Sequence, residues 1–453
     1  MPPYSQSDRS PLVPATRPVQ AVIVGAGNRS MLYASYALTH PDELQITAVV
    51  DPDPVHRRRA ADRFGLQDDR LYASVEELVA GPKLADAAIN GTMDSFHVAT
   101  TIPLLHAGYD VLLEKPIGVS EAEVLELYEA SRATGRTVFI CHVLRYAPFY
   151  AEIRRRIENG DIGEVVAIQT EENVSYHHMA TAFVRGKWSN LKAGGSSMLM
   201  QKCCHDLDIV SWMKGSVRPV RVSSFGSLYQ FRSDKAPEGA GTRCLADCPI
   251  ESKCAYSAGS MYIEKKLWSP YVWAGLPHGN SAADEQKIES LRTDNPYGRC
   301  VWRSDNDVVD HQSVIIEFED GSTASHSLTG GTSKPCRTIH ITGTKGEIVG
   351  TMEEGSFKIR HPDRDGASTY QEELVELKVS ADMHGGGDMR LVTDFIRTLR
   401  GEEPSISSTS LDRSIYGHQI GFSADRARLE NRVVEIRELS RELTAGRLEA
   451  SGL

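Results

Sequence analysis

The first 142 residues alternate short apolar runs with helical patterns, and this rhythm constrains the fold more than any other feature of the chain. Strands are predicted at 19–24, 44–50, 85–90, 110–114 and 137–142, with helices at 31–39, 95–107 and 120–134. Strands that alternate with helices form a parallel sheet covered on both faces. The sequence therefore predicts a doubly wound α/β domain over residues 18–142.

A glycine-rich turn follows the first strand. It consists of Gly25, Ala26, Gly27, Asn28, Arg29 and Ser30. Gly25 permits a sharp turn and Gly27 lets a pyrophosphate approach the backbone, while the following helix N-terminus offers N–H donors. Ser30 stands where the dinucleotide-binding fingerprint has its third glycine. The turn indicates a Rossmann nucleotide site, although so short a pattern is also typical of a plain turn.

Asp51 ends the second strand, 26 residues after Gly25. An acidic side chain at this point accepts both ribose hydroxyls of the adenosine half and repels a 2′-phosphate. NAD is therefore favoured over NADP. A solvated aspartate in a turn is the alternative, and the arginines at 57–59 would admit a phosphate.

Further polar residues lie at or near the carboxyl ends of the predicted strands, where ligands of such sheets bind. Those expected to contact the cofactor are Asn90, His97, Glu114, Lys115 and His142.

The segment Leu113-Glu114-Lys115-Pro116-Ile117, with the glycine turn before it and RYAPFY at 145–150 after it, resembles the Gfo/Idh/MocA oxidoreductases. This family is named for glucose-fructose oxidoreductase and inositol dehydrogenase. The resemblance extends from about Pro18 to about Arg441. It implies a Rossmann domain followed by an α+β domain, residues 143–453, whose large open mixed sheet carries the substrate and often packs in oligomers.

The sequence after residue 143 agrees with that implication. Strand-like segments occur at 165–171, 220–229, 313–319, 323–329 and 338–342, and helical patterns return at 388–400 and 417–444. A segment with three glycines at 385–387 precedes the first of these helices. It either brings His384 to the pocket or is a plain helix entry capped by Asp388, and we favour the plain entry.

The resemblance assigns the catalytic lysine to Lys115, with Pro116 fixing the turn that aims it, often through a cis bond. An ammonium group at a strand end beside the nicotinamide can hold the reacting hydroxyl. A surface lysine at the start of a loop is the alternative.

The family's second motif is a glycine-rich lead into a helix with an acid and a histidine four residues apart. Here it covers residues 194–208, and His205 falls at the histidine. Gln201 replaces the acid, so it can orient a hydroxyl or the ring but cannot relay a proton. His205 is our predicted general base. A buried histidine bonded to Asp206 or Asp208 is the alternative.

Aromatic, imidazole and cationic side chains cluster between these two motifs, as a carbohydrate site requires. The predicted substrate residues are Arg145, Tyr176, His177, His178, Arg185, Lys187, Trp188 and Lys202. The cations are compatible with an anionic sugar, and the alternative is that they pair with acids such as Glu171 and Glu172.

Four cysteines, Cys244, Cys248, Cys254 and Cys300, fall in a loop-rich insertion at 244–300. Four thiolates gathered in one place would form a structural zinc site or, less readily, an iron–sulfur cluster. Independent reduced cysteines are the alternative.

Composition narrows the class of partner. The net charge of −11 without a basic run argues against nucleic acid, and no apolar run is long enough to span a membrane. Residues 1–17 are polar and proline-rich, which predicts a disordered tail and not a signal peptide. We expect a cytoplasmic, homo-oligomeric protein with a small carbohydrate substrate.

Three functions follow from these residues. The leading one is NAD-dependent dehydrogenation of a secondary hydroxyl on a sugar, glycoside or polyol. The second, implied by some relatives in the superfamily, is an NAD-dependent glycosidase that oxidises C3 transiently and acts on glycosides, including anionic ones such as sulfoquinovosides. The third is a nucleotide-sensing regulator, which the presence of both Lys115 and His205 disfavours.

Overall fold

The computed structural model describes residues 13–215, 217–277, 279–366, 368–378 and 384–436. Within these ranges no helix is both long and apolar enough to cross a membrane.

Six parallel strands build the first sheet. They are β1 (Val19–Val24), β2 (Leu44–Val50), β3 (Leu71–Tyr72), β4 (Ala87–Asn90), β5 (Asp110–Leu113) and β6 (Val138–Ile140). Their order is β3-β2-β1-β4-β5-β6, which is that of a Rossmann domain. The strands are almost continuously apolar because helices cover both faces of the sheet.

The helices of this domain are α1 (Asn28–Ala34), α2 (Tyr36–Thr39), α3 (Pro54–Phe64), α4 (Val75–Val79), α5 (His97–His106) and α6 (Glu121–Thr134). Local capping explains where the longer ones begin and end. Ser120 accepts the N–H of Glu123 at the start of α6, and Gly135 ends it in the left-handed conformation. The predicted α/β fold class is confirmed.

The second sheet has nine strands. They are β7 (Val165–Ser175), β8 (Pro219–Ser227), β9 (His311–Phe318), β10 (Thr323–Thr332), β11 (Cys336–Gly343), β12 (Glu347–Thr351), β13 (Ser356–Pro362), β14 (Tyr370–Glu376) and β15 (Val434–Glu435). Their order is β14-β13-β12-β11-β7-β10-β9-β8-β15, and among the described strands of this second sheet only β7 and β10 pair in parallel.

Alternation along β9 explains the one-sided burial of this sheet. Gln312, Val314, Ile316 and Phe318 are buried, while the residues between them face outward. The helices of this part of the chain are α7 (Pro148–Glu158), α8 (Tyr176–His178), α9 (Leu191–Gly194), α10 (Met198–Lys214), α11 (Cys244–Asp247), α12 (Ser269–Val272), α13 (Asp284–Arg292), α14 (Gly387–Leu399) and α15 (Leu411–Glu430). Helix α10 is buried along almost its whole length, against the sheet and α15.

The chain returns to the first domain near its end. Leu391, Phe395 and Leu399 of α14 pack in the same core as β1 and β6, and the rings of Phe395 and Phe139 are 5.6 Å apart. The N–H of Ile140 then donates to the carbonyl of Thr409. The first domain is therefore completed by residues far beyond the predicted boundary at 142.

Two other predicted boundaries also differ. Val13 is buried in this core and Arg17 binds Asp86 at 2.6 Å, so residues 13–17 are not part of a disordered tail, whereas 1–12 lie outside the described residues. The helix predicted at 417–444 ends at Glu430, because Asn431 adopts the left-handed conformation. Residues 437–444 lie outside the described part.

Candidate active site

The glycine turn after β1 has the shape expected of a pyrophosphate cradle. Gly25 has a φ of +75°, and a Cβ there would meet the backbone of Thr92 at 2.8 Å. A Cβ on Gly27, which caps α1, would meet nothing closer than 3.9 Å, so this backbone is open to a ligand. Asn28 is exposed beside it. The turn therefore fits the pyrophosphate of a dinucleotide.

Ser30 replaces the third glycine without loosening the turn. Its hydroxyl donates to the carbonyl of Gly25 and lies 3.3 Å from that of Gly27. The close approach of strand and helix occurs through Gly91, where a Cβ would meet the Cβ of Ser30 at 3.0 Å. Sequence reasoning missed Gly91.

Asp51 braces the same turn. Its carboxylate accepts the backbone N–H of Ala26 at 2.7 Å and that of Asp53 at 2.9 Å, and His56 Nδ1 lies 3.4 Å away. The carboxylate therefore lies at the mouth of the turn, where the ribose of a dinucleotide is expected.

Lys115 connects the two domains. Its Nζ donates a hydrogen bond of 2.6 Å to the carbonyl oxygen of Gln201 on α10. In an α-helix that carbonyl also accepts the N–H four residues on, which belongs to His205. The predicted lysine, glutamine and histidine therefore lie together.

Two imidazoles fix the turn that carries Lys115, whose bond to Pro116 is cis. His97 Nδ1 lies 2.6 Å from the carbonyl oxygen of Pro116, and its Nε2 lies 3.1 Å from that of Thr92. The N–H of Ile117 donates to His418 Nε2 at 2.9 Å. His97 was predicted to contact the cofactor, but its ring bridges two loops instead.

Glu114 is the centre of an ion-pair network beneath the lysine. It accepts Arg29 Nε at 2.8 Å, the hydroxyl of Tyr33 at 2.7 Å and the N–H of Lys115. Although burial opposes its ionisation, Arg29 and Lys115 lower the pKa of Glu114. Arg29 also binds Asp388 at 2.5 Å. Arg29 and Glu114 were both predicted to contact the cofactor, but their side chains bind each other.

His205 is surrounded by other imidazoles. The ring of His142 lies 5.7 Å from it and the ring of His384 lies 5.8 Å away, while His418 is 5.4 Å from His142. Burial, followed by the charge of Lys115, lowers the pKa of His205 well below its usual range. The ring is therefore neutral at pH 7, which is the form that accepts a proton.

His384 lies beside His205, although the sequence analysis favoured a plain helix entry at this segment. Its Nδ1 lies 3.0 Å from the carboxylate of Asp388, which fixes the ring beside His205. Burial lowers the pKa of His384 although Asp388 opposes that effect. The glycines before α14 were the only local signal, and they did not indicate which domain the loop approaches.

A buried charge cluster lies on the other side of α10. Glu172 contacts Lys202 at 2.9 Å and Arg337 at 2.6 Å, and Arg337 contacts Asp206 at 3.0 Å. Burial raises the pKa of Asp206 to about 6, whereas Arg337 and Lys202 lower that of Glu172 against the effect of burial. Lys202 is therefore paired with Glu172, which was the alternative to binding an anionic sugar.

Lys187 and Trp188 follow the segment that carries the predicted histidines, and Lys187 is close enough to Lys115 to be affected by its charge. Lys187 Nζ lies 4.2 Å from the ring centroid of Trp188 and 3.3 Å from Met93 Sδ. Burial lowers the pKa of Lys187, and Lys115 adds to that effect. Substrate contact by these two residues stays a prediction.

The predicted histidine pair packs against the indole of Trp268. His177 and His178 belong to α8, where His177 Nδ1 accepts Trp268 Nε1 at 3.0 Å and the ring of His178 lies 4.5 Å from that indole. Tyr176 packs edge-on against Tyr256. Trp268 was not singled out by the sequence analysis.

Two predicted substrate residues have other roles. Arg145 is buried and binds Asp208 through two bonds of 2.6 and 2.7 Å. Arg185 is buried against the insertion and donates to the carbonyls of Arg299 and Tyr256 there. Their guanidinium groups are used inside the protein, so the prediction of substrate contact is wrong for both.

Asn90 and His142 also differ from expectation. The amide of Asn90 is buried and binds Thr92, Thr100 and Thr101. It therefore shapes the loop after β4. His142 is wholly buried, and burial followed by Arg145 lowers its pKa well below the usual range. It packs behind His205.

The cysteines of the insertion do not form the predicted zinc site. Among the described residues, the one group of three ligand atoms within 4.8 Å of one another is Cys203, Asp206 and His326. The guanidinium of Arg185 lies 3.4 Å from Cys244 Sγ, and a fixed cation there opposes a metal ion. Burial raises the pKa of Cys254 and of Cys300, which favours their thiol form. Zinc binding is not supported.

Comparison with known families agrees with both domains. A model described as "Oxidoreductase family, NAD-binding Rossmann fold" matches residues 19–142. A second, described as "Oxidoreductase family, C-terminal alpha/beta domain", matches residues 154–411.

Individual relatives are distant. YteT of Bacillus subtilis, which is named as an oxidoreductase, is 24% identical over 78% of this chain and 82% of its own. Inositol 2-dehydrogenase of Corynebacterium glutamicum is 25% identical over 66% of this chain and 79% of its own. The structure of a levoglucosan dehydrogenase in complex with NADH aligns with a TM-score of 0.67 at 16% identity, covering 93% of this chain and 100% of that one. At this identity the alignment shows that the two proteins share a fold.

Proposed function

Since the chain belongs to the Gfo/Idh/MocA oxidoreductase family, with its NAD-binding Rossmann domain, we propose that it oxidises a secondary hydroxyl of a sugar, glycoside or polyol with NAD. The observation that carries this proposal is the juxtaposition of Lys115 and His205. The ammonium is bonded to the helix turn that bears a neutral, buried imidazole.

The role that we assign to each residue follows from the charge of its side chain. The Lys115 ammonium binds the reacting hydroxyl and stabilises negative charge that develops on its oxygen. The neutral His205 imidazole takes the hydroxyl proton. A bound nicotinamide supplies the acceptor for the hydride that leaves the same carbon. Gln201 orients the substrate without exchanging protons.

The names of two similar proteins support the substrate class. Inositol and levoglucosan are both cyclic compounds with several secondary hydroxyls. The wall of Lys187, Trp188 and His178 supplies the apolar faces and polar donors that such rings require.

A second candidate is favoured by one observation, the presence of His384 beside His205. A dehydrogenase needs a single base. A redox-neutral glycosidase needs a second base, because oxidation at C3 acidifies the C2–H and that proton must be removed. The aglycone then leaves C1 with a proton. Water adds across C1 and C2, and the hydride returns to C3. His384, oriented by Asp388, is the second base in this scheme.

The test is to incubate the purified protein with NAD and a panel of free sugars, polyols and aryl glycosides, neutral and anionic. NADH absorbance and aglycone release are followed together, with Lys115→Met as the inactive control. NADH formed in proportion to oxidised sugar supports the dehydrogenase. Aglycone release that needs NAD without accumulating NADH supports the glycosidase. If neither product forms with any substrate, the proposal is wrong.

A further inference from the structure

The insertion between β8 and β9 places an aromatic residue, Trp268, against the wall of the candidate active site. Its indole Nε1 donates to His177 Nδ1 at 3.0 Å. Its ring lies 4.5 Å from that of His178, at an angle of 36°. The side chain is partly exposed. An indole that is both fixed and accessible presents an apolar surface to a ligand.

The backbone holds this indole in a conformation that large residues seldom adopt. Trp268 has a φ of 57° and Lys266 one of 51°, and Asn431 is the only other non-glycine residue with positive φ in the described ranges. Left-handed conformations are costly for bulky side chains and persist where the surroundings fix them, often beside ligands. The carbonyl of Trp268 accepts the N–H groups of Tyr271 and Val272, which begins α12 and fixes the turn.

The hydrogen bond also defines the state of His177. Indole Nε1 is only a donor, so His177 Nδ1 is the acceptor and Nε2 carries the proton. Burial, followed by Lys265, lowers the pKa of His177, which agrees with a neutral ring. An apolar indole and an imidazole N–H donor thus lie side by side. A sugar ring offers the complementary pair, a face of C–H groups and a rim of hydroxyls.

A row of packed rings runs from Trp268 to Trp188 and Lys187. The ring of His178 lies 5.8 Å from Phe183, which lies 6.4 Å from Trp188, over which Lys187 Nζ is placed. The charges of Lys202 and Lys115 add to the effect of burial on the pKa of His178. The row runs through the buried ring of Phe183, and the charge of Lys115 acts at both of its ends, on His178 and on Lys187.

We propose that Trp268 and His177 form a second carbohydrate subsite, which binds the sugar ring linked to the one that is oxidised. The C–H face of that ring packs on the indole, and one of its hydroxyls accepts the Nε2–H of His177. This inference rests on the proposed function and specifies its substrate class as a glycoside of at least two rings.

The experiment compares matched pairs of substrate with the NAD-loaded enzyme. The probes are methyl glucosides against cellobiose and maltose, and methyl galactosides against lactose. We expect the wild type to prefer a disaccharide. Trp268→Ala should raise KM for that disaccharide about ten-fold and change KM for the methyl glycoside less than two-fold. Trp268→Phe should retain most of the preference, because it keeps an aromatic face.

Tyr229→Ala is the matched control, since Tyr229 is an aromatic residue that is 62% exposed in the same connection between β8 and β9. It should change neither KM. Equal losses for both substrates with Trp268→Ala would assign the indole a structural role and overturn the subsite.

Calorimetric titration of the same sugars into the NAD-loaded enzyme separates this inference from the proposed function. Disaccharide binding that Trp268→Ala weakens supports the subsite even if no NADH forms, in which case the proposed function alone is wrong. Disaccharide binding that Trp268→Ala leaves unchanged, or no binding of any disaccharide by the wild type, overturns the subsite.

Discussion

Lys115 and Gln201 are joined across the two domains by a hydrogen bond of 2.6 Å from the ammonium to the main-chain oxygen. The acceptor is a backbone atom, so the departure from the family's acid at position 201 leaves this contact intact. The lysine is therefore positioned by helix α10 itself, and its aim depends on the docking of α10 against the turn at Pro116.

Replacing Lys115 by Met should remove the ammonium while keeping much of the apolar stem. We expect kcat to fall by about 10² to 10⁴-fold, because the charge that stabilises the reacting oxygen is lost. NAD affinity, measured by fluorescence titration, should stay within about three-fold. Lys334→Met, at an exposed lysine, serves as the control. Retention of more than about a tenth of kcat would contradict the role of Lys115.

Much of this site was predictable from the sequence and some of it was not. The glycine turn, Asp51 and Lys115 were found because strand–turn–helix signals are local. Arg29 was assigned to the cofactor because its partner Asp388 lies 359 positions away along the chain. Arg145 and Arg185 were assigned to the substrate for the same reason. A cation is recognisable in a sequence, but the buried carboxylate or carbonyl that binds it is not.

The strands of the second sheet illustrate the same limit. β7, β9 and β10 have regular apolar alternation and were predicted near their observed positions. β14 is exposed at nearly every position, and β15 has two residues, so neither carries an apolar pattern. Both lie at the edges of the sheet, where pairing with one neighbour defines the strand.

His384 and Asp388 should act as one unit. We expect Asp388→Asn and His384→Ala each to lower kcat about ten-fold, and the double variant to lose no more than the more affected single variant. Because Asp388 also binds Arg29, urea unfolding of each variant should be measured alongside kcat. Additive losses in the double variant would mean that the two residues work independently.

The pH dependence of catalysis should reflect the low pKa of His205. Burial and Lys115 keep this pKa well below 6.5, so the ring stays unprotonated as the pH falls from 8 to 6.5. We therefore expect no loss of kcat/KM from protonation of His205 over that range, and an acid limb centred below the ordinary value of 6.5. A limb centred at about 6.5 or above would show that His205 titrates as an ordinary histidine.

Stability should fall as the pH is lowered from neutrality, because several buried histidines stay neutral in the folded state, among them His418 and His326. Burial lowers the pKa of His418 to about 3 and that of His326 to about 4. Below about 6.5 the unfolded chain binds protons that the folded chain does not, so each ring lowers the free energy of unfolding by about 1.4 kcal/mol per pH unit. For His326 this continues down to about pH 4.

Asp206 opposes this trend. Its pKa is raised to about 6, so between about pH 6 and pH 4 the folded state binds a proton that the unfolded state does not, which offsets one histidine. Urea unfolding at pH 7, 6 and 5 measures the net slope. His326→Asn should reduce the slope. An unchanged slope in His326→Asn would contradict the assignment.

The outward face of the second sheet should mediate association between chains. Phe225 on β8 and Ile315 on β9 are 71% and 57% exposed and lie on the same face, because Phe225 pairs with Ser313 and Ile315 with Ser223. We expect light scattering to give the mass of an oligomer for the wild type and a smaller mass for Phe225→Asp with Ile315→Asp. Equal masses would exclude this face.

The return of α14 to the core of β1 and β6 has a consequence for biosynthesis. Strands made first by the ribosome stay without part of their apolar cover until Leu391, Phe395 and Leu399 have been made. The usual order, in which an N-terminal domain folds while the rest is still being synthesised, does not apply here. The strands of the nucleotide-binding domain are translated before α14, so the nascent chain must carry an incomplete sheet until α14 has been made.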